Sequence, residues 1–343
     1  IPAQRLLGLC HLFAAGFITL AATRTDYNSL YTLVLLSVMF YMPTIALSNS
    51  VAYNALEKAG LDTVTHFPPI RVWGTVGFIC AMWVVDLGKM GLSATQLYFS
   101  ATLGLILGLY SFTLPNCPIN RSGGGKSIVD LLGLRAFALF KQRKMAIFFI
   151  FSMLLGMSLQ ITNAFADGYI KSFGDTGIHG AKYLGTFGVE HSTILISLSQ
   201  ISETLCILLI PFFLKRFGIK RVMLIAMFAW VLRFALLGAG NPGPGVWMFI
   251  LSMIVYGVAF DFFNISGSLF VEKETSAAIR SSAQGVFMIM TNGLGALIGS
   301  YLAGWVVNHY GWPLSWYLFA GFSLVVAIVF AVIFKYKHDP NRI

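Results

Sequence analysis

Asp261, Asn264 and Ser268 place one carboxyl group and two hydrogen-bonding groups on the same face of a predicted helix, because residues three or four positions apart are neighbours there. They lie in the apolar run 246–271, and about 26 residues are enough to cross a bilayer. A carboxylate at bilayer depth costs roughly 2.5–3.5 kcal/mol on insertion scales. Asp261 is therefore predicted to handle a proton or a polar substrate. The competing interpretation is a structural ion pair with Arg233, which could instead snorkel to the membrane surface.

The apolar run 191–213 has a similar polar stripe, which consists of Thr193, Ser197, Gln200 and Glu203. Glu203 falls near the middle of the run, and a buried acid can exchange a proton near neutral pH when its surroundings shift its pKa. Glu203 and Asp261 are both candidate proton-coupling groups, and they could titrate as a coupled pair. The residues do not decide which acid carries the proton. Hydrogen bonding between helices is the alternative role for the neutral members of this stripe.

A third stripe, in the run 145–166 and the residues just after it, contains Gly156, Gln160, Asn163 and Asp167. Glutamine and asparagine each offer a donor and an acceptor, which suits sugar hydroxyls or the edge of a base. Contacts between packed helices are the alternative role for these two amides. We therefore treat Gln160 and Asn163 as candidate substrate-binding residues.

Arg71, Thr75 and Phe78 share one face of the predicted helix 69–87. Arg71 is only about one turn inside that helix, so the residues alone favour an arginine that snorkels to the membrane surface. Phe78, Tyr256 and Phe260 are candidate stacking partners for a flat ring.

The elements that must position these residues are membrane-spanning helices. The chain has 343 residues, of which 57% are hydrophobic and 10% are charged, and its mean hydropathy is +0.78. A soluble domain has about a quarter charged residues, so this composition predicts an all-α polytopic membrane protein. Ten apolar runs are long enough to span: 6–22, 29–50, 69–87, 94–114, 145–166, 191–213, 219–238, 246–271, 282–307 and 312–334.

The formal net charge of +10 does not indicate nucleic-acid binding, because the basic residues lie almost entirely between apolar runs. Most of the 23 lysine and arginine residues fall on one predicted side of the membrane, whereas the other side has only Arg24, Lys89, Lys171 and Lys182. The positive-inside rule then places both chain ends and the connection 115–144 in the cytoplasm. An amphipathic segment that begins at Ile128 is predicted to lie on the inner membrane surface.

The four-plus-six arrangement of spans resembles the major facilitator superfamily, whose transporters have two six-helix halves joined by a long cytoplasmic loop. The family hallmark is a basic turn with a central glycine, and Lys215 to Arg221, around Gly218, is similar to its second copy without the acidic residue. The resemblance implies an N-terminal half 1–114, a connecting loop 115–144, a C-terminal half 145–334 and a cytoplasmic tail 335–343. It also implies that the first two helices are missing, so we expect the chain on its own to be inactive.

Four motifs narrow the resemblance to the nucleoside:proton symporters, the bacterial nucleoside permeases. They are the segments 66–78, 159–163, 199–204 and 259–267, which contain Arg71, Thr75, Phe78, Gln160, Asn163, Gln200, Glu203, Phe260 and Asp261. The resemblance implies proton-coupled import of purine and pyrimidine nucleosides across the inner membrane by a monomer, with the proton as coupling ion and no cofactor. It also places Arg71 with Thr75 and Phe78 in the central cavity, and Gln160 and Asn163 against the nucleoside.

Two other functions remain open. The first is a symporter of the same superfamily for another polar solute, such as a small sugar. The second is a membrane sensor or membrane enzyme, which the sequence disfavours because it shows neither a soluble domain nor a catalytic set. The four cysteines and six histidines show no metal-binding spacing.

Overall fold

The computed structural model describes residues 2–61, 63–91, 93–117, 134–175, 182–275 and 279–336. The chain divides into two compact units, Ile1–Gly125 and Lys126–Ile343. The predicted amphipathic segment from Ile128 lies largely outside the described residues, which resume with a 3-10 helix at Leu134–Lys141.

The described residues of the first unit form four helices: α1 (Ala3–Ala22), α2 (Tyr27–Lys58), α3 (Thr63–Leu87) and α4 (Thr95–Ser111). Helices α1 and α4 approach closely because glycines face each other, and a β-carbon built on Gly8 would lie 2.9 Å from the Gly108 carbonyl oxygen. The Ser37 hydroxyl of α2 donates to the Ala14 carbonyl of α1 over 2.9 Å. Asp26 caps α2 by accepting a hydrogen bond from the Ser29 amide.

The second unit contains longer helices around a larger aromatic core. Its elements are α5 (Arg143–Ser172), a short turn at Phe187–Glu190, α6 (Ser192–Ala239), α7 (Val246–Glu274), α8 (Arg280–Met288), a π-helix (Ile289–Gly295), α9 (Ala296–Tyr310) and α10 (Trp312–Ile333). Among its core residues, Phe148, Phe249 and Trp316 are each 0% exposed.

Large apolar side chains cover much of the outer surface of both units. Leu208 is 73% exposed and Leu297 and Val332 are each 69% exposed, which in a soluble protein would create apolar patches of unusual size. A surrounding lipid phase accounts for them. Seven helices among the described residues are long and apolar enough to cross a membrane, and the predicted number of ten spans stays a prediction.

The backbone shows how three of the apolar runs are built. The runs 191–213 and 219–238 form the two helical segments of α6, which are separated at Gly218, where φ is 74° and ψ is 166°. The chain turns back there, because Ser202 of the first segment and Arg233 of the second bond to the same stretch of α7. The basic turn predicted at this place thus has a backbone conformation that glycine permits. The run 282–307 contains the π-helix, where Gly295 lies so close to α5 that a β-carbon would be 2.5 Å from the Met153 carbonyl oxygen. Gly299 makes a similar approach to Met157, so small residues bring the two helices into close contact.

Candidate functional site

The close packing of α6 on α7 positions the two predicted acids. A β-carbon built on Gly257 of α7 would lie 2.6 Å from the Ser202 carbonyl oxygen of α6, so only glycine permits this approach. The Ser202 hydroxyl donates to the Ile254 carbonyl. Glu203 follows Ser202 directly, and it lies close enough to Asp261 for an electrostatic interaction between the two carboxyl groups.

Asp261 is deeply buried within this interface. Its side chain is 3% exposed, and its Oδ2 atom accepts no hydrogen bond from the described residues. The alternative ion pair with Arg233 is wrong, because the contacts of Arg233 are with Thr162, Ser252, Met253 and Tyr256. A carboxyl group that is shielded from solvent and has one unpaired oxygen is suited to proton binding, since a proton on that oxygen removes the charge that burial disfavours.

Tyr256 connects the acids to the polar face of α5. Its side chain is 5% exposed, its hydroxyl is within hydrogen-bonding reach of the Asn163 side chain, and the two acids Glu203 and Asp261 are within electrostatic range of it. One turn further along α7, the Phe260 ring stacks on the Tyr256 ring with a centroid distance of 5.8 Å and an interplanar angle of 17°. The structure therefore brings Asn163, Glu203, Tyr256, Phe260 and Asp261 together.

The remaining two predicted amides lie on the same helices. Gln160 of α5 is half-buried one turn before Asn163, which is exposed, and Gln200 of α6 is half-buried one turn before Glu203. A small cavity in this unit is lined by residues of α5, α6, α7 and the π-helix, including Gly156, Phe260, Asn264 and Asn292, and Gln160, Asn163 and Gln200 are not among its lining residues.

Other members of the polar stripes have structural contacts. Ser268 donates to the side chain of Gln284 over 3.2 Å, and its carbonyl accepts from the same side chain over 2.8 Å. Asp167 accepts from Lys171 over 2.7 Å and from Ser192 over 2.6 Å. The predicted stripes therefore mix residues near the two acids with residues that fasten helices together.

The predicted residues of the first unit all lie on α3. Thr75 is half-buried and Phe78 is 53% exposed, whereas the side chain of Arg71 lies outside the described part of the chain. A cavity of about 360 Å³ in this unit lies between α1, α2 and α4, where His11, Ser37 and Tyr41 line it. Neither Thr75 nor Phe78 is among its lining residues.

Arg233 is the residue of this region whose place the sequence did not predict. Its guanidinium lies over the ring of Tyr256, with 4.6 Å from Cζ to the ring centroid. In the sequence, Arg233 stands out only as a basic residue within an apolar run. That feature does not show which neighbour its side chain contacts.

The fold, the buried Asp261 and the half-buried Glu203 define a polytopic helical transporter of the major facilitator type. A family model described as nucleoside H⁺ symporter matches residues 1–339, so the chain belongs to the nucleoside:proton symporter family, whose members are membrane transporters and not enzymes.

Individual relatives agree with this assignment. The chain is 50% identical to nucleoside permease NupG of Escherichia coli (strain K12) over 345 residues, which cover 98% of this chain and 82% of that protein. It is also 50% identical to the xanthosine permease of the same organism, with 100% and 83% covered. A crystal structure of a point mutant of the nucleoside transporter NupG matches with a TM-score of 0.92 over 98% of this chain and 84% of that chain.

Proposed function

We propose that this protein imports nucleosides together with protons across the inner membrane of a bacterium by alternating access. The observation that carries the proposal is the buried carboxyl group of Asp261, which has an unpaired oxygen and lies beside Glu203 and Tyr256. Family membership and the two permeases with 50% identity support both the nucleoside and the proton.

The nucleoside contacts are assigned by side-chain chemistry. Gln160, Asn163 and Gln200 bind ribose hydroxyls or base edges, because each amide both donates and accepts. The stacked rings of Tyr256 and Phe260 offer an aromatic face beside these amides, and a base packs well on such a face.

Proton coupling follows from the proximity of the two acids. Two neighbouring carboxyl groups in a poorly solvated site do not both ionise readily, so one proton is shared between Asp261 and Glu203. We infer that the proton enters while the site is open to the outside and that nucleoside then binds next to the neutralised pair. Binding of the proton and the nucleoside favours the inward-open state only if both bind that state more tightly than the outward-open state. Release of the proton to the cytoplasm then promotes release of the nucleoside.

Arg71, Thr75 and Phe78 join this proposal on the family resemblance alone, as further nucleoside contacts from the first unit. We also propose that the chain functions as a monomer, with both of its ends and the connection 115–144 in the cytoplasm. The basic residues concentrated on one predicted side of the membrane support this orientation.

Competition for uptake tests the substrate class. Cells that express the protein and lack other nucleoside transporters are given labelled uridine with an excess of unlabelled competitor. Adenosine, cytidine and xanthosine should inhibit, and lactose and melibiose should not. The panel includes xanthosine because one relative is a xanthosine permease. Inhibition by the sugars without inhibition by nucleosides would instead assign the protein to another polar solute.

A further inference from the structure

Arg233 is a buried cation within the apolar interior of the second unit. Its side chain is 1% exposed, and none of its contacts with the described residues is with a carboxylate. An arginine inside a membrane helix costs at least about 2.5 kcal/mol on insertion scales. The contacts that this guanidinium makes must therefore offset a considerable cost.

The contacts of Arg233 come from two neighbouring helices. On α5, the Thr162 hydroxyl accepts from Nε over 3.4 Å. On α7, the Ser252 carbonyl accepts from Nη1, and both terminal nitrogens approach the Met253 sulfur at 3.7 Å. The guanidinium carbon Cζ also lies over the Tyr256 ring, 4.6 Å from its centroid. A planar guanidinium suits an aromatic face in a way that a lysine ammonium does not.

The Tyr256 ring is thereby held from several directions. Arg233 covers one face, Trp230 meets the ring nearly edge-on at 6.0 Å and 88°, and Phe260 stacks beside it. The hydroxyl at the far end of the ring neighbours Asn163 and Glu203. A shift of the ring would consequently move both the aromatic face and the hydroxyl that the proposed site offers.

We propose that Arg233 is a positioning residue that fixes Tyr256 for nucleoside binding without touching the nucleoside itself. This inference rests on the proposed function, in which Tyr256 contacts the substrate. The competing role for Arg233 is a purely structural link between α5, α6 and α7. The two roles differ in what they change: a positioning residue changes KM through Tyr256, whereas a structural link changes the amount of folded protein.

A double-mutant cycle separates the roles. Initial rates of uridine uptake are measured over a range of concentrations and normalised to the amount of protein in the membrane, for Arg233→Met, Tyr256→Leu and the double variant. Each single substitution should raise KM about tenfold, the size expected for losing a desolvated cation–π contact. The double variant should be no more than about twofold worse than the more severe single variant, since both remove the same contact.

Two further variants protect the test against misfolding. Arg233→Lys keeps the charge but loses the planar contact, so it should raise KM about threefold or more in the wild-type background and not in the Tyr256→Leu background. Leu237→Ala is the matched control one turn further along α6. Leu237 is 0% exposed and its carbonyl accepts from the Tyr169 hydroxyl, so its substitution should reduce the amount of protein at most and leave KM unchanged.

The possible outcomes distinguish the inference from the function on which it rests. If Tyr256→Leu leaves KM unchanged, Tyr256 does not contact nucleoside and the proposed site is wrong at that residue. If Tyr256→Leu raises KM but Arg233→Met and Arg233→Lys do not, the positioning role is overturned. The positioning role is also overturned if Arg233→Met raises KM by the same factor in the wild-type protein and in the Tyr256→Leu variant. The two residues would then act independently.

Discussion

Gly156 of α5 lies so close to Thr291 of the π-helix that a β-carbon on Gly156 would be 2.1 Å from the Thr291 carbonyl oxygen. The oxygen belongs to the backbone, so it cannot move aside as the end of a flexible side chain can. Gly156 is one turn before Gln160, and this contact therefore sets the position of the α5 face that carries the predicted amides. The π-helix itself is a form often found at functional sites.

Gly156→Ala should consequently destabilise the second unit by about 1–3 kcal/mol, the usual cost of overpacking a close contact. Gly168→Ala on the same helix is the control, because nothing lies within 4 Å of its added carbon. The control should be neutral or slightly stabilising, since alanine favours helices over glycine by about 1 kcal/mol. The melting temperatures of the two purified variants and the wild-type protein in detergent give these changes in stability. Equal melting temperatures for Gly156→Ala and Gly168→Ala would show that α5 can shift without cost.

Gly218 permits the kink in α6. Its φ of 74° and ψ of 166° belong to a region that is essentially restricted to glycine, so Gly218→Ala should cost of order 1–3 kcal/mol. The comparison is Gly321→Ala in α10, where the added carbon meets nothing within 4 Å. Thermal stability should fall for the first variant and not for the second. A fully stable Gly218→Ala protein would mean that the chain can turn at this position in a backbone conformation open to alanine.

Lys144 of α5 and Glu274 of α7 form an ion pair of 2.6 Å, with side chains 38% and 27% exposed. The Lys144 ammonium also lies 4.7 Å from the centroid of the Tyr336 ring. Because such partly exposed pairs are screened by solvent, the coupling energy between Lys144→Met and Glu274→Gln should not exceed about 1 kcal/mol. Chemical unfolding of the two single variants and the double variant gives this value, and a coupling above about 2 kcal/mol would contradict the expectation.

Asp26, at the start of α2, is a carboxyl group outside the membrane-spanning segments. Hydrogen bonds from Ser29 lower the pKa of Asp26 below its ordinary value of 3.8. A lowered folded-state pKa means that the cap is stabilising above the ordinary pKa and is lost as the pH falls through the folded-state pKa. Asp26→Asn should therefore leave the pH profile of uptake between about pH 5 and 8 unchanged. A shifted profile in this variant would assign part of the pH dependence to Asp26.

The helices and the position of Asp261 could be predicted from the sequence because both depend on simple patterns. Length and apolarity predict membrane helices, and the spacing of Glu203 and Asp261 within apolar runs predicts buried acids. Burial of Asp261 is confirmed. The family resemblance to nucleoside:proton symporters is confirmed as well.

The partner of Arg233 could not be predicted in the same way. An arginine near the end of an apolar run can pair with an acid, snorkel or lie over an aromatic ring, and the choice depends on tertiary packing. The π-helix was also not predictable, because one widened turn barely changes the hydrophobic pattern of the run 282–307. The structure reveals the π-helix, which brings Gly295 close to Met153 of α5.

Proton-coupled accumulation is the central claim, and the accumulation ratio of labelled uridine in energised cells tests it most directly. We expect the wild-type protein to concentrate uridine inside the cell, and Asp261→Asn and Glu203→Gln to lose concentrative uptake, because neither variant retains the pair of acids. Asp167→Asn is the matched control, since Asp167 is paired with Lys171 and Ser192, and it should still concentrate uridine. Wild-type accumulation in both Asp261→Asn and Glu203→Gln would contradict the assignment of these acids to proton coupling.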